Sequence, residues 1–244
     1  MKEKFRLDKL LVLNNYVENV NKAKALVMDG KILVNEIKIV KPGTKFTKDI
    51  TIRIKKKSHN WVSRGGLKLD HALNELNIKV DNKVCADLGS STGGFTDVLL
   101  RRKASHVFCI DVGVGLLNWK ILTNKRVTSI EKTNVRNLFL EDICQKISFI
   151  TCDLSFISIT KGLEKIISTK KKNISILALI KPQFELTKDM IGKKGVVTNS
   201  AFRKDAVAKV SDWFNQNGWK NKNILESPIT GMAGNREYFI YCVK

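Results

Sequence analysis

The chain has 244 residues, 43% apolar and 27% charged, which is room and apolar content for one large domain or for one large and one small. Its net charge of +21 exceeds what solubility requires and points to a polyanionic partner. No apolar run approaches the roughly 20 residues of a membrane span, and Met1-Lys-Glu-Lys leads into a charged helix rather than a secretory signal, so a cytoplasmic protein is expected. In chain order, Arg6 to Val12 and Lys22 to Asp29 read as two short amphipathic helices, the second stopped by Gly30. The runs 32–34, 37–39 and 50–54 alternate as short strands, with turns at Asn35-Glu36 and Pro42-Gly43. Residues 1–60 carry 15 Lys/Arg against 6 Asp/Glu, so positive charge is densest here.

The segments Arg-Leu-Asp-Lys-Leu-Leu and Lys-Ala-Lys-Ala-Leu-Val-Met-Asp-Gly-Lys-Ile-Leu-Val-Asn resemble the S-four-type RNA-binding domain, which packs two helices on a small sheet and grips structured RNA with a basic helical face. The resemblance implies an α+β RNA-binding unit over 1–60, with Arg6, Lys9, Lys22, Lys24 and Lys31 as candidate RNA contacts, joined by Arg64 from beyond it. The chain departs from the family at Asn19-Val20, where Ser-Arg is frequent.

Residues 55–62 read as a linker, with Lys55-Lys56-Lys57 as a solvated charge run, before a second domain over 63–244. Leu67, Leu69, Ala72, Leu73 and Leu76 form a helical stripe, and Lys68 lies off it, facing solvent or a cleft. Beyond Lys83, strand-like runs at 83–88, 106–111, 127–131, 147–153, 174–180, 222–229 and 237–243 alternate with helical ones near 94–104, 116–123, 160–170 and 201–217. This alternation predicts an α/β, doubly wound, mainly parallel sheet. The connection 230–235 is too short for a helical crossover, so the last two strands should pair antiparallel, as in Rossmann-like methyltransferases.

The centre of this domain is Asp87-Leu-Gly-Ser-Ser-Thr-Gly-Gly-Phe-Thr-Asp97, a strand end, a glycine-rich turn and a helix start. It is neither Gly-x-Gly-x-x-Gly nor a P-loop. Asp87 stands where a phosphate would be repelled but an ammonium welcomed, and Asp111 follows Gly89 by 22 residues, where such folds place a carboxylate on ribose hydroxyls. The pair suits S-adenosylmethionine, with Asp87, Gly89, Ser90, Ser91, Gly93, Gly94, Phe95, Asp111, Asn134 and Asp153 as candidate cofactor contacts. Five cysteines without Cys-x-x-Cys spacing argue against disulfides or zinc, and no metal-ligand cluster is evident. Cys85, Cys109 and Cys152 lie in apolar runs and read as core residues in a reducing compartment.

Polar residues gather at the strand ends. Asp153 closes one strand, Lys181 closes another before Pro182-Gln-Phe-Glu185, and Glu237 opens the last. With Lys68 they make two lysines and two acids converging on one cleft. Their order resembles the RrmJ/FtsJ class of RNA ribose 2′-O-methyltransferases. Together with Val-Ser-Arg-Gly-Gly-Leu-Lys-Leu and Leu-Ile-Lys-Pro-Gln-Phe-Glu, the chain is similar over nearly its whole length to the TlyA family, also called hemolysin A. That resemblance implies methylation of cytidine 2′-hydroxyls in ribosomal RNA or ribosomal subunits, an influence on capreomycin-type antibiotic sensitivity in some members, and catalysis by Lys68, Asp153, Lys181 and Glu237, with Lys181 as the base. Which lysine takes the proton stays open on the residues alone. A base methyltransferase would share the cofactor site but use a Cys nucleophile or an Asn/Asp-Pro-Pro-aromatic loop, and Asp153-Leu-Ser-Phe156 lacks the prolines. A non-enzymatic RNA chaperone has no use for the tetrad. A membrane-active hemolysin needs a pore-forming segment, for which only 201–217 offers itself.

Overall fold

Residues 3–28, 30–54, 60–231 and 233–244 are described in the computed structural model of the chain. They divide into two compact units, 1–60 and 61–244. In the first, β1 (Phe5–Arg6) leads into α1 (Leu7–Leu13), followed by α2 (Val20–Met28), β2 (Ile32–Val34), β3 (Ile37–Ile39), β4 (Lys45–Phe46) and β5 (Ile52–Ile54). A three-stranded sheet of order β3-β2-β5 and the small pair β1-β4 are both antiparallel. Asn35 and Glu36 both take positive φ, +48° and +64°, the geometry of a two-residue hairpin turn whose twist matches its strands. Leu7, Leu10 and Leu11 of α1 meet Ala23 and Val27 of α2 over Ile32, Val34 and Ile52, which is the core of this unit. The pair β1-β4 has no sequence signature, because two-residue strands carry no period. Asp29, the end of the expected second helix, and the stretch 55–59 of the expected linker lie outside the described residues.

The second unit opens with α3 (Gly65–Glu75) and continues as β6 (Val84–Leu88), α4 (Gly94–Arg101), β7 (His106–Ile110), α5 (Trp119–Leu122), β8 (Val127–Ile130), α6 (Leu140–Ile143), β9 (Ile147–Cys152), α7 (Ile159–Gly162), α8 (Glu164–Ile167), β10 (Ser175–Ile180), α9 (Pro182–Glu185), α10 (Ser200–Gln216), β11 (Lys220–Glu226) and β12 (Tyr238–Val243). Its seven strands run in the order β11-β12-β10-β9-β6-β7-β8. All neighbours are parallel except β12, which is antiparallel to both β10 and β11. Every residue of β10, Ser-Ile-Leu-Ala-Leu-Ile, is buried, as a strand covered on both faces must be. One face packs on Val210, Phe214 and Trp219, the other on Leu69, Leu73, Val98 and Leu99. Trp61 and Val62 belong to this unit: the Val62 N–H donates to Asp97 at 3.0 Å, and the Arg101 guanidinium lies 4.5 Å from the centre of the Trp61 ring.

Several expected helices are shorter. The run 116–123 yields only the turn Trp119–Leu122, started by Asn118 accepting from the Lys120 N–H. The run 160–170 splits at Leu163, whose ψ of 4° leaves the helix. The strand expected at 222–229 is Lys220–Glu226, ending before Ser227-Pro228, where proline has no N–H for the ladder.

Candidate active site

The register explains why distant residues meet. Leu88 pairs with Cys152 in parallel, so Gly89 and Asp153 leave the sheet side by side, and the Asp153 N–H donates to Leu88 O at 2.9 Å. Ile180 pairs antiparallel with Tyr238, so Lys181 and Glu237 leave it side by side as well. Gly89 takes φ +79°, and a Cβ there would lie 2.6 Å from the Asp153 carbonyl oxygen. Only glycine fits this crossing. A Cβ on Gly94 would lie 2.2 Å from Ser63 Oγ and 3.0 Å from Gly66 N, so α3 and α4 start in direct contact and bring Lys68 to the glycine turn.

Two adjoining clefts share Gly89, Ser91, Asp153, Ser155 and Phe156. One, of about 570 Å³, is also walled by Asp111, Val112, Asn134 and Leu154. Asp111 is fixed there by accepting from the Ser91 and Gly113 N–H groups, each at 2.8 Å. Asn134 accepts from the Arg136 N–H at 3.1 Å and caps a single turn. The second cleft, of about 500 Å³, holds Ser90, Gly94, Phe95, Lys68, Lys181, Glu237 and Arg64. Lys68 Nζ lies 2.5 Å from Glu237 Oε2, both side chains more than nine-tenths buried. Lys181 Nζ lies 2.6 Å from Asp153 Oδ1 and donates to Ser155 Oγ at 2.8 Å. All four residues of the expected tetrad therefore line one cleft, as two lysine–acid pairs.

Asp87 stands elsewhere. It lines neither cleft and is completely buried, with Oδ2 accepting from Thr96 Oγ1 at 2.6 Å and Oδ1 from Thr151 Oγ1 at 2.9 Å. Burial pushes its pKa up to about 6, against the opposing pull of the two hydroxyls. The expectation of an ammonium-facing acid is corrected: side chains alternate along β6, and the one at 87 points under the glycine turn rather than into the cleft. Gly93 lines neither cleft either; at φ +87° it starts α4 against Leu117 and Ile121.

In the first unit Lys9, Lys22 and Lys24 are exposed, and Lys31 is half-buried. Lys22 is paired with Glu18 at 3.1 Å. Arg6 is drawn into a two-point pair with the buried Asp8, at 3.0 and 2.7 Å, and its hydrogen bond holds that carboxyl below its usual range. In the second unit Arg64 donates to the Thr230 carbonyl at the cleft rim.

Three site features escaped the sequence. Ser155 and Phe156 read there only as missing prolines, yet both line the two clefts. Phe156 is 91% exposed at φ +67°, a strained setting for an aromatic residue, with its ring 5.6 Å from Phe184. Gly231 closes over Glu237, where a Cβ would lie 2.4 Å from Oε1. Its only sequence signal was a glycine in a short connection.

The FtsJ-like methyltransferase family model matches residues 61–244. Over 242 residues the chain is 36% identical to the 16S/23S rRNA (cytidine-2′-O)-methyltransferase TlyA of Mycobacterium tuberculosis, covering 99% of this chain and 90% of that one. It is 36% identical over 244 residues to Hemolysin A of Brachyspira hyodysenteriae, covering 98% and 99%. A solved structure from Streptococcus thermophilus that carries the name hemolysin superposes with a TM-score of 0.76 at 34% identity, covering 100% of this chain and 90% of that one. The chain belongs to the FtsJ-like methyltransferase family, in its TlyA/hemolysin A branch, and S-adenosylmethionine is its methyl donor.

Proposed function

We propose that this protein methylates a ribose 2′-hydroxyl, of cytidine, in ribosomal RNA, and that residues 1–60 are an S-four-type unit that holds the RNA. The carrying observation is the pair of buried lysines, each against its own acid, in a cleft that shares a wall with the one beside the glycine turn. The donor fits that neighbouring cleft: Gly89 clears the floor, Asp111 offers a carboxylate at the end of β7 for ribose hydroxyls, and Asn134 and Val112 flank it. When bound, S-adenosylmethionine supplies a methyl group already activated by its sulfonium.

The chain's residues attend to the acceptor. A ribose hydroxyl is a poor nucleophile until its proton is removed. Lys181 Nζ is the base that takes this proton, a role that requires the amine to be neutral before attack. Lys68 and Glu237 line the same cleft, and Asp153 steadies the lysine once it is charged. Fixing the hydroxyl oxygen in line with the methyl carbon supplies much of the acceleration. The exposed ring of Phe156 at the mouth suits stacking of an unpaired base. Base methylation through a cysteine finds no support here: Cys152, beside Asp153, is wholly buried in the core, and burial drives its pKa upward. Nor does a pore: α10 buries Ala206, Val210 and Phe214, and among the described residues no helix is long and apolar enough to cross a membrane. The cytoplasm, where ribosomal RNA is modified, is the proposed location.

The test is incubation of purified protein with labelled S-adenosylmethionine and ribosomal RNA, followed by mapping of the ribose mark on 16S and 23S chains. Lys181→Ala should abolish transfer while cofactor and RNA affinities stay within about threefold, since the loss falls on the transition state. Lys181→Arg should be equally inactive, because a guanidinium keeps its proton. Substantial activity in the arginine variant would make Lys181 a mere positive charge and turn attention to Lys68.

A further inference from the structure

Among the described residues the two cleft lysines are held differently. Lys68 has an aligned hydrogen bond to a carboxylate, Glu237 Oε2. Lys181 has its aligned hydrogen bond to a neutral hydroxyl, Ser155 Oγ at 2.8 Å. Asp153 Oδ1 is nearer, at 2.6 Å, but the pair does not have the angles of a hydrogen bond, so that contact is one of charge. The difference matters because a lysine head is a rotor with three equivalent positions about Cε–Nζ. Attraction to a charge fixes where Nζ lies. By itself it sets the rotor less tightly than a hydrogen bond does.

We infer that Ser155 is the positioning residue that aims Lys181, fixing the rotor so that the amine lone pair faces the acceptor hydroxyl. This rests on the proposed role of Lys181 as base. A neutral amine has two N–H groups and one lone pair. With one N–H on Ser155 Oγ, the other turns toward the negative charge of Asp153, and the lone pair, repelled by that carboxylate, takes the third position. The loop is shaped for this: Phe156, next in the chain, turns at φ +67°, and Glu185 ties the far side of the loop by accepting from Ser158 Oγ at 2.5 Å and the Ile159 N–H at 2.8 Å. After proton transfer the lysine is an ammonium, and Ser155 still accepts from it. No partner has to be exchanged during the step.

Single-turnover methyl transfer by the full-length protein on ribosomal RNA tests this with Ser155→Ala, Ser155→Thr and Lys181→Ala side by side. Ser155→Ala should slow the chemical step about tenfold, the order of one orienting hydrogen bond. Its KM for RNA and its calorimetric affinity for S-adenosylmethionine should stay within about twofold. Ser155→Thr, which keeps the hydroxyl, should restore most of the rate, whereas a purely structural serine would not distinguish hydroxyl from methyl in this way. An alanine variant within twofold of the parent while Lys181→Ala is inactive overturns the inference and leaves the base in place. So does a threonine variant as slow as the alanine one. An active Lys181→Ala overturns the reading of Lys181 itself.

Discussion

Replacing Asp87 with asparagine should stabilise the second unit, and only above about pH 4. Asp87 is wholly buried, and its pKa stands at about 6 against an ordinary 3.8. The folded protein therefore keeps this proton to higher pH than the unfolded chain does. The stability associated with the bound proton is fully present below pH 3.8 and is lost as pH rises through about 6. The gap amounts to about 3 kcal/mol, at roughly 1.4 kcal/mol per pH unit. An asparagine never ionises, so it escapes this loss. It also keeps the cage: Thr96 has Cys109 Sγ at 3.1 Å as another partner, and Thr151 has the Ala86 carbonyl at 3.4 Å, which frees each hydroxyl to accept from the new amide. Urea unfolding followed by tryptophan fluorescence reads the right unit, since Trp61, Trp119, Trp213 and Trp219 all belong to it. The parent and Asp87→Asn should have similar stability at pH 4 and diverge to about 3 kcal/mol in favour of the variant by pH 7. A difference that stays constant from pH 4 to pH 8, or a variant less stable than its parent at pH 7, would refute the reasoning.

Gly231→Ala should push the Glu237 carboxylate about 1 Å from its place beside Lys68 and slow methyl transfer by about a hundredfold, with circular dichroism unchanged; activity within threefold would show that this pair is dispensable. Asp111→Ala should weaken S-adenosylmethionine binding by about a hundredfold in calorimetry, the scale of one or two hydrogen bonds to a charged group. Unchanged affinity would place the adenosine elsewhere. Replacing Lys9, Lys22 and Lys24 with glutamate should weaken binding to ribosomal RNA, flatten its dependence on salt by about three released counterions, and leave cofactor affinity alone. Equal salt slopes would remove these lysines from the RNA interface.

The sheet was legible because its evidence is local and periodic. A short run such as Ile174 to Ile180, apolar but for Ser175 and rich in isoleucine, reads as a strand buried on both faces, and the connection at 230–235 is too short to cross over. Lys181 and Glu237 could be brought together from that much. Asp87 was misread for a different reason. Its place at the strand end was visible, but its partners come from 9 and 64 residues away, Thr96 and Thr151. Nothing near Asp87 in the chain announces two hydroxyls. Ser155 was hidden likewise, since a serine becomes an orienting group only through the lysine that another strand delivers. The short helices were overextended because apolar spacing includes Leu116 and Leu117, ahead of the extended cap residue Asn118, and runs on through Leu163, where the backbone leaves the helix.

The antiparallel run of β12 has a consequence for how this chain tolerates changes in length. In the parallel strands the site residues follow the strand, so an insertion in the preceding helix or loop leaves their pairing untouched. Glu237 instead precedes its strand, at the end of the 227–237 connection, and Asn235 anchors that connection by accepting from the Val197 N–H at 2.9 Å and donating to the Gly195 carbonyl at 2.9 Å. A single residue gained or lost between this anchor and Tyr238 would either break the anchor or slide the register by one. A slide would turn Glu237 away and could bring its neighbour Arg236 beside Lys68, exchanging an attraction for a repulsion in a buried place. Homologous chains should therefore vary in length before Asn235 and keep the distance from it to Glu237 fixed.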